Sequence, residues 1–175
     1  MRIDLSEYFS DENKSGTEQA EYSSDIFDAG HGTFPVVKKE TFPLAISNVG
    51  GKKLRISGST SITILIPCDR CLTDVPTTFS IELDEEIDVP KVLSGDAEQL
   101  DEAAYMDGTT LDVDQLIFGE ILVSWPMKVL CTKDCKGICK RCGQNRNLAE
   151  CACTESEPDP RMAAIQNLFH QYKEV

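Results

Sequence analysis

The chain is poor in histidine: among 175 residues only His31 and His170 carry an imidazole. His31 lies in a glycine-flanked polar stretch and His170 inside a helical pattern, so no serine or cysteine has a credible histidine partner. Acidic pairs such as Glu85 and Glu86 read as the surface of a strand end. There is no glycine-rich phosphate loop and no internal repeat. These shortages argue against an enzyme, and no small-molecule substrate is evident.

Long apolar runs are also scarce. The longest, residues 116–125, is broken by Glu120 and is far too short to span a bilayer. The opening stretch MRIDLSEYFSDENKSG is acidic and lacks the apolar core of a secretory leader. The expectation is a soluble, cytoplasmic chain with no membrane partner and with reduced thiols. In that setting disulfides are rare, and closely spaced cysteines more often bind metal or carry redox chemistry.

Charge is abundant but uneven. The total is −13, yet residues 82–120 alone hold thirteen acids against one lysine, and the first thirty residues hold eight acids against two bases. Residues 31–81 and 131–153 each sum to +3. The simplest reading of the acidic stretches is a solvated face; the alternative is a seat for a basic partner such as a ribosomal protein.

The pattern along the chain predicts an α+β fold: a small antiparallel β-sheet or partial barrel packed with one or two helices, followed by a C-terminal zinc-ribbon-like segment. Residues 1–30 read as an acidic, poorly ordered segment in which DLSEYF could dock as a short strand or turn. Residues 31–130 read as a β-rich core domain. Within it, TFPVVKKETFPLAIS, KKLRISGSTSITILIP and TTFSIELDEEIDV carry strand-like alternation, and Phe79, Ile81, Leu83 and Ile87 share one side of the third. Gly50 and Gly51 suggest an antiparallel hairpin between the first two. The acidic stretch that follows lacks a sustained period and reads as a loop with one helical turn. A helix is expected over about 113–125, capped by Asp112, with Val113, Ile117, Ile121 and Trp125 at four-residue spacing and Pro126 at its end. Residues 131–175 hold the cysteine cluster and a last helix capped by Asp159, with Pro160 at its first position and Met162, Ile165, Leu168, Phe169 and Tyr172 as its apolar stripe.

Six of the eight cysteines fall within residues 131–153, spaced C-x3-C-x3-C-x2-C-x8-C-x-C. Cys139 and Cys142 form a C-x2-C-G knuckle, in which a tight turn aims two sulfurs at one metal. A tetrahedral structural zinc needs two more thiolates, and Cys151 and Cys153 are placed to return them. Cys139, Cys142, Cys151 and Cys153 are therefore the preferred ligands, with Cys135 an alternative for Cys139 or Cys151. Cys131 and Cys135 remain, and CDRC upstream supplies Cys68 and Cys71, enough for a second four-cysteine site. Lys136, Lys140 and Arg141 could lower a reactive thiol's pKa or simply offset the −2 of a four-thiolate zinc.

CDRCL after an apolar strand, then WPMKVLC, CKGICKRCGQN and EPDPRMAAIQNL, stand in the order and spacing of the YceD family, and the chain resembles that family from about Phe34 to Leu168. The resemblance implies a factor for accumulation of large-subunit ribosomal RNA, acting in ribosome assembly, with no enzymatic activity. It carries Cys68, Arg70 and Cys71 over to the first family motif. Cys135, Gly137, Cys139, Cys142, Gly143, Cys151 and Cys153 match the second, and Asp159, Pro160 and Arg161 the third. The chain departs in having Ile138 where the family has leucine, and NRN with Arg146 where it has N-L-N. Members lacking the C-terminal cysteines imply that zinc clasps the tail rather than performing the shared function.

The functional expectation is a ribosome-assembly factor working through a basic ribosomal or assembly protein. Contact with ribosomal RNA would be weak and salt-dependent unless the bases of VVKK and GGKKLR face one way. The alternatives are a zinc-ribbon interaction module unrelated to ribosomal RNA and a thiol-redox protein.

Overall fold

The computed structural model describes residues 1–94 and 104–153. Its spine is one long hairpin. Strand β6 (Lys53–Pro67) pairs along its whole length with β7 (Asp74–Asp88), from Lys53 opposite Asp88 to Pro67 opposite Asp74. On its other edge β6 takes two partners in turn: β5 (Phe42–Val49) against residues 53–58, and β4 (Thr33–Lys39) against residues 62–64. β2 (Ser15–Ala20) extends the sheet beyond β5, and β3 (Ile26–Asp28) extends it beyond β4, all antiparallel. The expected single strand over residues 33–47 is thus two strands, each serving a different half of β6.

Alternation decides which face is buried. Leu54, Ile56, Ile62, Ile64 and Ile66 of β6 lie on the inner face with Phe79, Ile81, Leu83 and Ile87 of β7, as the sequence pattern requires. Each such side chain contributes about 1.5–3 kcal/mol by leaving water. The β5–β6 turn forms where expected, with Gly50 and Gly51 at φ 63° and 70°, a region open to glycine at little cost.

The inner face is covered by helix α3 (Val113–Val123), which packs on β7 and β1 (Arg2–Asp4) through Val113, Leu116, Ile117 and Ile121. Asp112 caps it, its carboxylate accepting from the Asp114 and Gln115 amides at 3.1 and 3.3 Å. The helix ends at Val123, two residues short of the expected Trp125, which instead stacks on Phe27 and Phe79 with ring centroids 5.3 and 5.5 Å away.

Residues 1–30, expected from composition to be poorly ordered apart from DLSEYF, carry β1, a short helix, β2 and β3. β1 pairs with β9 (Thr110–Asp112), which pairs with β8 (Met106–Asp107), in a second antiparallel sheet. Helix α1 (Ser6–Ser10) follows β1, and Ile3, Leu5, Tyr8, Ala20, Tyr22 and Phe27 are all buried in the main core. The apolar residues are few, but nearly all of them point inward, and the partner of β1 lies over a hundred residues away. The acidic stretch begins with the expected helical turn, as α2 (Val89–Ser94), and ends in the β8–β9 hairpin, which the pattern did not suggest. The expected C-terminal helix, with Asp159, Pro160, Arg161 and His170, lies outside the described residues.

The bases of VVKK and GGKKLR do not form a free cationic face. Arg55 makes two 2.8 Å bonds to the Asp84 carboxylate, Lys53 pairs with Glu86 at 2.6 Å, Lys38 with Glu40 at 2.8 Å and Lys39 with Asp25 at 2.7 Å. The Arg55 and Lys53 bonds hold the Asp84 and Glu86 carboxyls below their usual range.

Candidate metal centre

At the tip of the β6–β7 hairpin the chain reads Cys68-Asp-Arg-Cys71-Leu-Thr. The Cys68 amide donates to the Thr73 carbonyl at 2.8 Å, and the Leu72 amide donates back to the Cys68 carbonyl at 2.9 Å. Closing this turn forces Leu72 to φ 60°, the one non-glycine residue at positive φ among those described. The segment leaving α3 is laced to the tip: the Asp69 amide donates to the Val129 carbonyl at 2.9 Å, and the Val129 amide to the Asp69 carboxylate at 2.7 Å. That lacing delivers Cys131 and Cys135.

The result is a four-sulfur cluster of Cys68, Cys71, Cys131 and Cys135 whose sulfurs all lie within 4.8 Å of one another. Cys68 and Cys135 are 3.8 Å apart and Cys71 and Cys131 3.5 Å. A sulfur tetrahedron around zinc, with bonds of about 2.3 Å, has edges of about 3.8 Å. Cys68, Cys71 and Cys135 are buried, and Val75 and Leu130 pack against them. Polar groups aim at the sulfurs as they do around metal thiolates: the Cys131 amide donates to Cys68 Sγ at 3.4 Å and Asn147 Nδ2 to Cys135 Sγ at 3.2 Å.

The second cluster, Cys139, Cys142, Cys151 and Cys153, meets the same 4.8 Å limit but lies at the surface, with Cys142 and Cys153 exposed. Its knuckle, Cys139-Lys-Arg-Cys142-Gly-Gln, repeats the hairpin tip bond for bond. The Cys139 amide donates to the Gln144 carbonyl at 2.8 Å, and the Gly143 amide donates to the Cys139 carbonyl at 2.9 Å. Gly143, at φ 73°, stands where the first knuckle has Leu72.

Each cluster holds one thiol far below its ordinary value and one far above. Burial alone would raise Cys68, but amides of Arg70, Cys131 and Cys71 outweigh it and bring it to about 6. Amides of Cys142 and Arg141 bring Cys139 to about 6. Cys131, beside the Cys71 sulfur, and Cys153, beside the Cys142 sulfur, are pushed up to about 12. Four sulfurs this close cannot all be anionic without a cation between them.

The structure therefore separates the eight cysteines into two sets of four, all free of disulfides. Cys135 stands with Cys68, not with the surface set. Gly137, at φ 73°, lets the chain pass the hairpin tip, where a Cβ would come within 3.0 Å of the Arg70 carbonyl. Arg70 donates from Nη1 to the Cys135 carbonyl at 2.9 Å and accepts the Ile138 amide at 3.0 Å. Asp69, Thr73, Asn145 and Asn147 were missed by sequence reasoning. The repeated C-x-R-C could have drawn attention to the equivalence of the knuckles. Arg146 is exposed, so the position needs no apolar side chain. Both clusters have a donor set and spacing compatible with structural zinc. Among the described residues no helix is long and apolar enough to cross a membrane.

Comparison with known proteins places this arrangement. An uncharacterized protein of Bacillus subtilis, YlbN, is 27% identical over 71% of the chain and 72% of its own length. An uncharacterized protein of Mycobacterium tuberculosis is 26% identical over 65% of the chain and 55% of its own length. The chloroplastic large ribosomal RNA subunit accumulation protein YCED homolog 1 of Arabidopsis thaliana is 28% identical over 70% of the chain, which spans 46% of that relative. No solved structure matches the chain. The profile of the family described as large ribosomal RNA subunit accumulation protein YceD matches residues 56–169, from within β6 through both knuckles, and by that match the chain belongs to the YceD family.

Proposed function

We infer that the chain is a non-enzymatic factor supporting accumulation of large-subunit ribosomal RNA, and that it acts through a basic ribosomal or assembly protein. The observation carrying this reading is the family match across residues 56–169. The choice of a protein partner follows from charge. At −13 the chain is repelled by a phosphate backbone, and Lys38, Lys39, Lys53 and Arg55 are already engaged by carboxylates. The acidic excess of residues 82–120, thirteen acids against one lysine, suits a basic surface. Structural zinc at Cys139, Cys142, Cys151 and Cys153 would hold the tail, since so short a segment buries too little apolar surface to order itself.

Depletion of the protein tests the reading. Mature large-subunit ribosomal RNA is expected to fall and its precursors to change while small-subunit RNA holds; unchanged levels would favour an interaction module unrelated to ribosomal RNA. Submicromolar, salt-insensitive binding to purified ribosomal RNA would overturn the choice of a protein partner.

A further inference from the structure

We propose that Cys68, Cys71, Cys131 and Cys135 form a second zinc centre, buried at the hairpin tip, on which the surface ribbon is seated. This deepens the reading of the cysteines above and is independent of which partner the protein meets.

Three observations converge. The first is the identity of the two knuckles. Both run Cys-x-Arg-Cys, and both close with the first cysteine's amide donating to the sixth residue's carbonyl and the fifth residue's amide donating back to the first cysteine's carbonyl. At the hairpin tip this turn puts Leu72, a branched L-residue, at φ 60°. A left-handed conformation is unfavourable for an ordinary L-residue, and an ordinary β-hairpin could close without it. The conformation orients Cys68 and Cys71 toward one point.

The second is completion of the donor set from afar. The lacing of Val129 to Asp69 brings Cys131 and Cys135 to the two knuckle sulfurs, at separations of 3.5 and 3.8 Å. Four soft thiolates spaced like the edges of a zinc tetrahedron suit zinc as a structural ion and leave no coordination position for a substrate.

The third is the outer layer. Asn147 donates to Cys135 Sγ at 3.2 Å with one side-chain hydrogen and accepts the Lys136 amide at 2.7 Å. The ribbon that carries the surface knuckle is therefore bonded to a ligand of the buried one. Metal at the hairpin tip fixes Cys135, and Cys135 fixes the ribbon.

Metal content of the full-length protein, purified without chelator, tests this with zinc itself as the probe. Two zinc per chain are expected in the natural protein and one in the double variant Cys142→Ser/Cys153→Ser, which alters exposed surface ligands only. One zinc in the natural protein and none in the variant would overturn the buried centre and leave the surface site standing. One zinc in both would support the buried centre and overturn the surface one. Iron in place of zinc, or thiols recovered by reductant and not by denaturation with chelator, would also overturn the proposal. In the same surface-site variant, Asn147→Ala is expected to weaken zinc retention about tenfold in chelator competition; unchanged retention would remove Asn147 from the scheme.

Discussion

Asn145 donates from its side-chain amide to the Thr73 hydroxyl at 3.1 Å, across a sequence separation of 72 residues. Thr73 closes the hairpin-tip knuckle and Asn145 follows the surface knuckle, so this bond joins the two turns. Replacing Thr73 with valine should cost about 1 kcal/mol and loosen the ribbon without disturbing the sheet. Limited proteolysis should then cut within residues 136–153 sooner than in the natural protein, at unchanged far-ultraviolet circular dichroism.

Leu72 is 65% exposed, so it gains little by packing while carrying the strain of positive φ. Leu72→Gly should therefore be neutral or stabilising by up to about 1 kcal/mol, because relief of the left-handed cost offsets glycine's extra unfolded-state entropy. Leu72→Val should destabilise. Urea midpoints of the two variants, compared at equal zinc content, check the sign.

At Gly137 the sequence has no such freedom. Alanine there would carry positive φ and press its Cβ to 3.0 Å from the Arg70 carbonyl. A loss of about 2 kcal/mol is expected, together with faster amide exchange at Ile138, whose amide bonds that carbonyl. Exchange rates that stay protected at Ile138 would count against this account of the turn.

Trp125 is the only tryptophan in the chain and stacks with Phe27 and Phe79, while Phe34 lies 5.3 Å away, centroid to centroid. Trp125→Ala should cost about 3 kcal/mol. In the natural protein its fluorescence should shift to the red on denaturation, with a midpoint that matches loss of sheet signal.

Burial pushes the Asp114 carboxyl up, but the Met1 ammonium and the Ser23 hydroxyl and amide together hold it below 3.8. A depressed folded value stabilises the protein fully above the unfolded one and loses that effect as pH falls through the folded one. The stability gap between the natural protein and Asp114→Asn should therefore be widest near neutrality and close in the acid range below pH about 4. A gap independent of pH would show that the ion pair contributes nothing.

The strands of the hairpin were legible because period-two alternation in β6 and β7 is a local signal, and so was the Asp112 cap. The N-terminal elements were not. Ile3, Leu5 and Tyr8 are isolated apolar residues in an acidic stretch, and their burial depends on β9 and α3, supplied from the far side of the chain. The surface cysteine set could be read from spacing because its members fall within fifteen residues. The buried set spans Cys68 to Cys135, and spacing alone could not say that Val129 would be tied to Asp69. Nor could it reveal that Lys53 and Arg55, read as possible RNA contacts, sit one diagonal step from Glu86 and Asp84 on the neighbouring strand.

The family match begins at Ile56, partway along β6. A fragment cut at that boundary would keep β7 on one side of β6 but lose β5 and β4 from the other. Its unmatched amides and carbonyls, flanked by Ile62, Ile64 and Ile66, would offer a ready template for strands of other copies. The region that defines the family is therefore expected to aggregate when isolated, and this chain's first fifty-five residues serve as its covering edge.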